Sequence, residues 1–175
     1  MSNVRHRNTT RMLTSFFKQK LYVQLSPQLL SVRDPKSGQF VSEVPEIAIQ
    51  RLPGKHATIL AVGSNARSSA SASPHSEVLN PFSHPRSLLS DFTLAEQLLK
   101  AFVKRIVGTG LFSLRLDVVI HPLGEHLGGL TQIEVRALRE LALGAGAGNV
   151  HVWQGLPLAD QQLLSEQFPN TGNVL

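Results

Sequence analysis

Short apolar segments separated by turn-forming residues dominate the first third of the chain. Segments 21–25 and 29–33 flank the polar corner 26–28, Ser-Pro-Gln, and predict two β-strands joined by a turn. Segment 34–38 is a second turn signal. Segment 40–49 contains a third predicted strand, which lies mainly after Pro45. We therefore expect the chain to open with an antiparallel meander.

The next forty residues have a weaker pattern. Segment 58–62 is apolar and ends at Gly63, which is typical of a short strand. Segment 64–83 is rich in serine, alanine and proline, so it predicts either a weak helix followed by a loop or a flexible surface crossing.

A helical period begins in the second half of the chain. Thr93 and Glu96 have capping-box spacing, and the predicted helix ends at Gly108. Its apolar residues form one stripe with a second row beside it: Leu94, Leu98, Phe102 and Ile106, then Ala95, Leu99 and Val103.

A strand, a helix and a second strand follow. Segment 114–120 is apolar and is stopped by Pro122. A second capping box, Thr131 with Glu134, starts a helix that ends among three glycines, and segment 150–153 is the next strand. The inward side of this helix is predicted to carry Ile133, Ala137, Leu138 and Leu141.

Together these elements predict a single α/β domain. The strand, helix and strand form a βαβ unit with parallel strands and a right-handed crossover. An antiparallel meander followed by βαβ describes a mixed sheet of the actin-like or ribonuclease-H-like type.

The N-terminal segment has a different character. Six cationic residues precede the first acidic one, Asp34, and the whole chain has a net charge of +5. In segment 10–18 the apolar residues Met12, Leu13, Phe16 and Phe17 share one helical face, with Arg11 and Lys18 on the other. The pattern fits a helix in a membrane interface, and equally a terminal helix docked on its own core.

Composition narrows the functional classes. The chain has no cysteine, which excludes disulfides and thiolate chemistry and suits a reducing compartment. No apolar run approaches the roughly 20 residues of a spanning helix, and no signal peptide is evident, so we expect a cytoplasmic protein.

The search for catalytic or metal-binding residues finds none. The glycines at 144, 146 and 148 follow a helix, the reverse of the order in phosphate loops. His121 and His126 match no metal spacing. A ribonuclease-H-type nuclease needs converging carboxylates, but the candidates are scattered: Asp34, Glu43, Glu46, Asp91 and Asp117. Nucleic-acid binding through the basic arm remains an alternative.

Several sequence segments, taken in chain order, resemble the MreB family of bacterial actin homologues, the rod shape-determining proteins. They are LTSFFKQKLYVQL, SEVPEIAI, ILAVGSNA, RSLLSDFTLAEQLLKAFVKRI, DVVIHPL and TQIEVRALRELALGAGAGNVHVW. The resemblance is to the first large subdomain of that family. It divides the chain into a basic tail with the amphipathic helix (1–19), an actin-fold subdomain (20–165) and a C-terminal tail (166–175).

The resemblance implies an ATP and magnesium site, and the departures from the family pattern imply that it has degenerated. Where the family has an Asp-Leu-Gly-Thr-type turn after its first strand, this chain has Gln24 in place of the aspartate and Ser26 in place of the glycine. Pro27 removes one N–H from such a turn. Gln154 lies where the family has a glutamate pair before a proline. These four residues are the expected remnants of the nucleotide site, without a cofactor and without ATP hydrolysis.

The resemblance therefore implies a non-enzymatic, cell-shape-associated interaction module. The expected partners are the inner face of the cytoplasmic membrane, bound peripherally through residues 11–18, and MreB-type filaments or a second copy of the chain. Two alternatives stay open. One is a nucleic-acid binder or nuclease of ribonuclease-H fold, and the other is a truncated, non-functional copy of an actin-like ATPase.

Overall fold

A computed structural model describes residues 19–108, 116–124, 126 and 128–175. The predicted amphipathic helix lies outside the described residues, together with all six of its membrane-binding candidates: Arg11, Met12, Leu13, Phe16, Phe17 and Lys18. Within the described ranges, no helix is long and apolar enough to cross a membrane.

The described chain forms nine strands and four α-helices, with a short 3₁₀ turn at Gly63–Asn65. In chain order the elements are β1 (Gln19–Leu25), β2 (Leu30–Arg33), β3 (Phe40–Glu43), β4 (Ile47–Gln50), β5 (Thr58–Val62), α1 (Ala66–Ser71), β6 (Ser76–Leu79), α2 (Phe92–Val107), β7 (Leu116–Pro122), α3 (Gln132–Gly144), β8 (Ala147–Gln154), α4 (Asp160–Ser165) and β9 (Asn173–Val174).

The larger sheet has the strand order β3-β2-β1-β7-β8-β9. Strands β1, β2 and β3 pair antiparallel, which confirms an opening meander, but its third strand lies before Pro45 and not after it. Strand β7 pairs parallel with both β1 and β8, and α3 connects β7 to β8, which confirms the βαβ unit. The predicted mixed α/β sheet is therefore correct.

A second sheet, with the order β5-β4-β6, was not predicted as a separate unit. Segment 40–49 holds two strands rather than one, and they belong to different sheets. Segment 64–83 begins with α1, as the weak-helix alternative predicted, but then contains β6 where a loop was expected. Strand β6 is Ser-Glu-Val-Leu and lies at a sheet edge, so its sequence has too little apolar alternation to reveal it.

The two long helices differ in how well their starts were predicted. Helix α3 has the predicted capping box: the N–H of Glu134 donates to Oγ1 of Thr131, and the N–H of Thr131 donates to the Glu134 carboxylate. Helix α2 instead starts after Asp91, whose carboxylate accepts from the N–H of Leu94 at 2.9 Å. The prediction of Thr93 as its cap is wrong, because aspartate is the stronger N-cap of the two.

The predicted inward face of α3 is correct except at its start. Leu138 and Leu141 are buried, but the Ile133 side chain is 82% exposed. Ile133 precedes Leu138 by five residues, so the two side chains point about 140° apart around the helix axis. Ile133 is thereby directed away from the sheet. Val135 packs against the core instead.

The larger sheet buries apolar residues on both faces. We call the side that packs against α2 and α3 the first face, and its core includes Leu21, Val23 and Leu25 of β1. We call the opposite side the second face, and its core consists of Tyr22, Val119, Trp153, Leu158 and Leu163, with Phe168 packed against it. The segment predicted as a C-terminal tail thus supplies Phe168 to this core and β9 to the sheet.

Candidate functional site

The parallel strands β1, β7 and β8 end at one edge of the larger sheet, which we call the carboxyl edge. Ligands of open α/β sheets bind outside the carboxyl ends of such strands. Three segments lie here: the corner 26–29 after β1, the chain after Pro122, and segment 154–158 at the end of β8. The predicted remnants lie at this edge. Ser26 and Pro27 are in the corner, and Gln24 and Gln154 are at the ends of β1 and β8.

The corner after β1 uses its own N–H groups internally. The N–H of Ser26 donates to the carbonyl of Leu29 at 2.8 Å. The N–H groups of Gln28 and Leu29 donate to Oγ of Ser26 at 3.2 and 3.1 Å. Pro27 has no N–H. The serine hydroxyl therefore occupies the donors that a phosphate would need.

The corner is also fixed from outside. The side-chain amide of Asn80 donates to the carbonyl of Pro27 at 2.7 Å. The N–H of Leu123, just after β7, donates to the carbonyl of Leu25 at 2.7 Å. These two hydrogen bonds hold the corner against the ends of β6 and β7, so it is a closed turn rather than an open loop.

Neutral amides stand at the two positions that the resemblance linked to carboxylates. Gln24 lies opposite His121 in the pairing of β1 with β7, and Gln154 lies opposite Asn173 in the pairing of β8 with β9. A Cβ built on Gly129 would lie 3.6 Å from Oε1 of Gln154, so Gln154 borders the chain that leads into α3. An amide carries no charge and is a weaker ligand for Mg²⁺ than a carboxylate.

The segment after β8 is held by side chains that the sequence did not single out. The Nδ1 atom of His121 lies 2.6 Å from the Tyr22 hydroxyl, and its Nε2 lies 3.0 Å from the carbonyl of Gly155. The N–H of Leu158 donates to the same Tyr22 hydroxyl at 3.1 Å. Both side chains are buried on the second face. The only sequence signal for this network is a histidine that interrupts an otherwise apolar strand.

Two further side chains bind the same segment. The indole N–H of Trp153 donates to the carbonyl of Leu156 at 2.8 Å, and the Arg33 guanidinium donates to the carbonyl of Leu158 at 3.1 Å. Arg33 also pairs with Asp160 at 3.1 Å. We call Tyr22, Arg33, His121 and Trp153 the clasp, because together they bind the backbone of residues 155–158.

Burial determines the protonation of the two titratable groups at the centre of the clasp. It lowers the pKa of His121, and nearby His126 lowers it further against the opposing effect of the Gly155 carbonyl. It also raises the pKa of Tyr22. The clasp is therefore built for a neutral imidazole and a neutral phenol.

The carboxylates considered for a nuclease have separate local roles. Asp91 caps α2, Glu43 pairs with Arg105, and Glu46 pairs with Arg67. Asp34 accepts hydrogen bonds from Gln19 and from the N–H groups of residues 36 and 37, which lower its pKa although burial would raise it. Asp117 is bound by Asn149 on the second face. Within the described residues, no group of three or more His, Asp or Glu side chains has metal-binding geometry.

Two features of the carboxyl edge bear on the binding of a magnesium nucleotide. The corner has its N–H groups bonded within itself, and the two positions linked to acidic residues carry glutamine. A phosphate cradle needs several free N–H groups directed at one point.

The family of the chain is decided by comparison with known proteins. The model of the MreB/Mbl protein family matches residues 29–159. The chain belongs to the MreB/Mbl family. The resemblance inferred from the sequence is thereby confirmed, and it covers most of the described structure.

Individual relatives of this MreB/Mbl chain agree with that assignment. It is 24% identical over 160 residues to the cell shape-determining protein Mbl of Bacillus subtilis (strain 168), covering 91% of this chain and 45% of that protein. The chain thus spans somewhat less than half the length of this relative.

Solved structures of actin-like proteins share the fold. MreB5 of Spiroplasma citri bound to ADP superposes with a TM-score of 0.59 at 18% identity, covering 77% of this chain and 37% of that one. A non-polymerising mutant of MamK bound to AMPPNP also gives a TM-score of 0.59, at 16% identity, covering 77% and 40%. The actin-like fold of the MreB/Mbl chain is therefore shown by structure as well as by sequence.

Proposed function

We propose that this MreB/Mbl-family chain acts as a non-enzymatic interaction module associated with cell shape, and that it has lost ATP binding and hydrolysis. The closed corner at residues 26–29 carries the proposal. There the Ser26 hydroxyl accepts from the N–H groups of Gln28 and Leu29, while Pro27 supplies none. The glutamines at positions 24 and 154 support it, since a neutral amide is a weaker ligand for Mg²⁺ than a carboxylate.

The relatives give the proposal its context. MreB5 and MamK were solved with ADP and AMPPNP bound, so the shared fold holds a nucleotide in those proteins. This chain keeps the fold while its corner is closed. Titration of Mg-ATP into the purified chain tests the proposal, and we expect no saturable binding.

Self-association or binding to filaments of a relative is the proposed mode of action. The MamK structure is that of a non-polymerising mutant, which implies that its parent protein polymerises, and MreB-family relatives form filaments. We infer that the fold of this chain supplies a surface for contacts of this kind. The proposed partner is therefore a second copy of this chain or a longer relative.

Peripheral attachment to the inner face of the cytoplasmic membrane is the second part of the proposal. It rests on the sequence pattern at residues 11–18, which as a helix would place four apolar residues on one face and cations on the other. Phenylalanine side chains supply most of the apolar area available for insertion.

Replacing Phe16 and Phe17 together by serine should release the chain from anionic liposomes. Each buried phenylalanine contributes about 1.5–3 kcal/mol, so the double variant should partition into the lipid fraction at least tenfold more weakly, as measured by co-sedimentation. Phe40→Ser is the matched control, because Phe40 is 70% exposed on the edge strand β3 and should leave binding unchanged. Equal binding of the double variant and the wild type would exclude this anchor.

A further inference from the structure

The backbone of residues 155–158 is bound from the sheet at four points. The carbonyls of Gly155, Leu156 and Leu158 accept from His121, Trp153 and Arg33, and the N–H of Leu158 donates to Tyr22. Helix α4 follows directly and contributes Leu163 to the second face. We propose that the clasp is a pH-responsive latch, in which protonation of His121 releases residues 155–158 and α4 from the second face.

The hydrogen bonds of the clasp fix where its protons lie. The Tyr22 hydroxyl accepts from the N–H of Leu158, and it lies 2.6 Å from Nδ1 of His121. The Gly155 carbonyl can only accept, so in the neutral ring Nε2 carries the hydrogen and donates it at 3.0 Å. Nδ1 then has no hydrogen and accepts the proton of the Tyr22 hydroxyl. One neutral tautomer of His121 satisfies every group.

A second proton on His121 would disrupt this arrangement. Nδ1 and the Tyr22 oxygen are 2.6 Å apart, which leaves room for one hydrogen between them. With an N–H at Nδ1, the Tyr22 hydroxyl could no longer donate to His121. The imidazolium would also lie in a site where the His121 side chain is only 3% exposed, and burial without a counter-charge disfavours the charged form.

The groups around the clasp do not supply that counter-charge. His126, from the segment after β7, repels a charged His121. Tyr22 is neutral, because burial raises the pKa of its hydroxyl. Arg33 of β2 lies 5.5 Å from the centre of the Tyr22 ring and is cationic, while Asp160 of α4 is paired with Arg33. Protonation of His121 therefore adds a second cationic group to the clasp, beside Arg33.

The direction of the pH effect follows from the lowered pKa of His121. In the released state His121 is accessible to water and titrates near its ordinary value of about 6.5. Below a pH of about 6.5, His121 binds a proton more readily in the released state than in the latched state. Lowering the pH therefore shifts the equilibrium toward the released state. The latch is closed at neutral pH and opens on acidification. Opening exposes Val119 and Trp153, which are fully buried when the latch is closed.

The chain contains one tryptophan, Trp153, which belongs to the clasp and reports on it directly. In the wild type, the fluorescence emission should shift to the red as the pH falls from about 7.5 to about 5, with a midpoint below about 6.5, while the far-UV circular dichroism stays constant. His121→Gln cannot acquire charge, so its emission should show no transition in this range. His126→Gln removes a repelling group and should move the midpoint upward without abolishing the transition.

Three results would overturn the latch. They are a wild-type emission that stays constant over this range, the same transition in His121→Gln, and a transition accompanied by loss of far-UV signal. If His121→Gln does not fold at neutral pH, nuclear magnetic resonance of the wild type decides. The His121 ring and the Trp153 indole N–H must then titrate with one midpoint, and separate midpoints contradict the proposal.

Discussion

The Phe102→Ala variant should have a free energy of unfolding about 3–5 kcal/mol below that of the wild type. The Phe102 side chain has no exposed surface and lies in the core of the first face. A Cβ built on Gly63 would lie 3.2 Å from its Cζ atom, and the Arg105 guanidinium lies 4.9 Å from its ring centre. Removing the ring leaves a cavity where α2 meets the chain that enters α1.

Phe40→Ala is the matched control for that experiment. It makes the same chemical change at a side chain that is 70% exposed, so unfolding by urea should show a change within about 0.5 kcal/mol. Equal losses in the two variants would mean that α2 does not pack on the sheet as described. A loss only at Phe102 supports the position of the first-face core.

The Asp117→Ala variant should lose about 3 kcal/mol of stability, because it removes the acceptor from a buried polar cluster. The Asp117 side chain is 4% exposed and the Lys20 side chain 11%, with their charged atoms 3.8 Å apart. Asn149 donates to Asp117 at 2.8 Å. Without the carboxylate, Lys20 keeps its contacts near the end of α4, with the Leu163 carbonyl and the Glu166 carboxylate.

A double-mutant cycle separates the charge effect from the loss of packing. The losses of Lys20→Met and Asp117→Ala should add up to more than the loss of the double variant, because each single variant already breaks the contact between the two groups. Glu77→Ala breaks the exposed pair with Arg51 and should cost less than about 1 kcal/mol in the same urea experiment. Purely additive losses at Lys20 and Asp117 would contradict a coupled buried pair.

The sequence predicted the parts of the fold in which the local pattern and the tertiary structure agree. The meander and the βαβ unit have strong apolar periodicity and end at proline or glycine, so their order was readable. The second sheet was missed because β6 is a short edge strand and because β3 and β4 are separated by only three residues. The exposure of Ile133 depends on the angle at which α3 meets the sheet, which periodicity alone does not give.

The candidate site was predictable only in part. Comparison with the family pattern identified Gln24, Ser26, Pro27 and Gln154, and all four lie at the carboxyl edge. The clasp was not predictable, because Tyr22 and His121 are 99 residues apart and meet only through the register of β1 with β7. The same register places Gln24 opposite His121.

Calorimetric titration of Mg-ATP into the purified chain tests the central claim most directly. With MreB5 of Spiroplasma citri as a positive control for nucleotide binding, this chain should give no saturable heat up to about 1 mM nucleotide. That result would agree with a corner whose N–H groups are bonded to Ser26 and Leu29. Saturable binding with a micromolar dissociation constant would contradict the account, because the corner would then have to open to hold a phosphate.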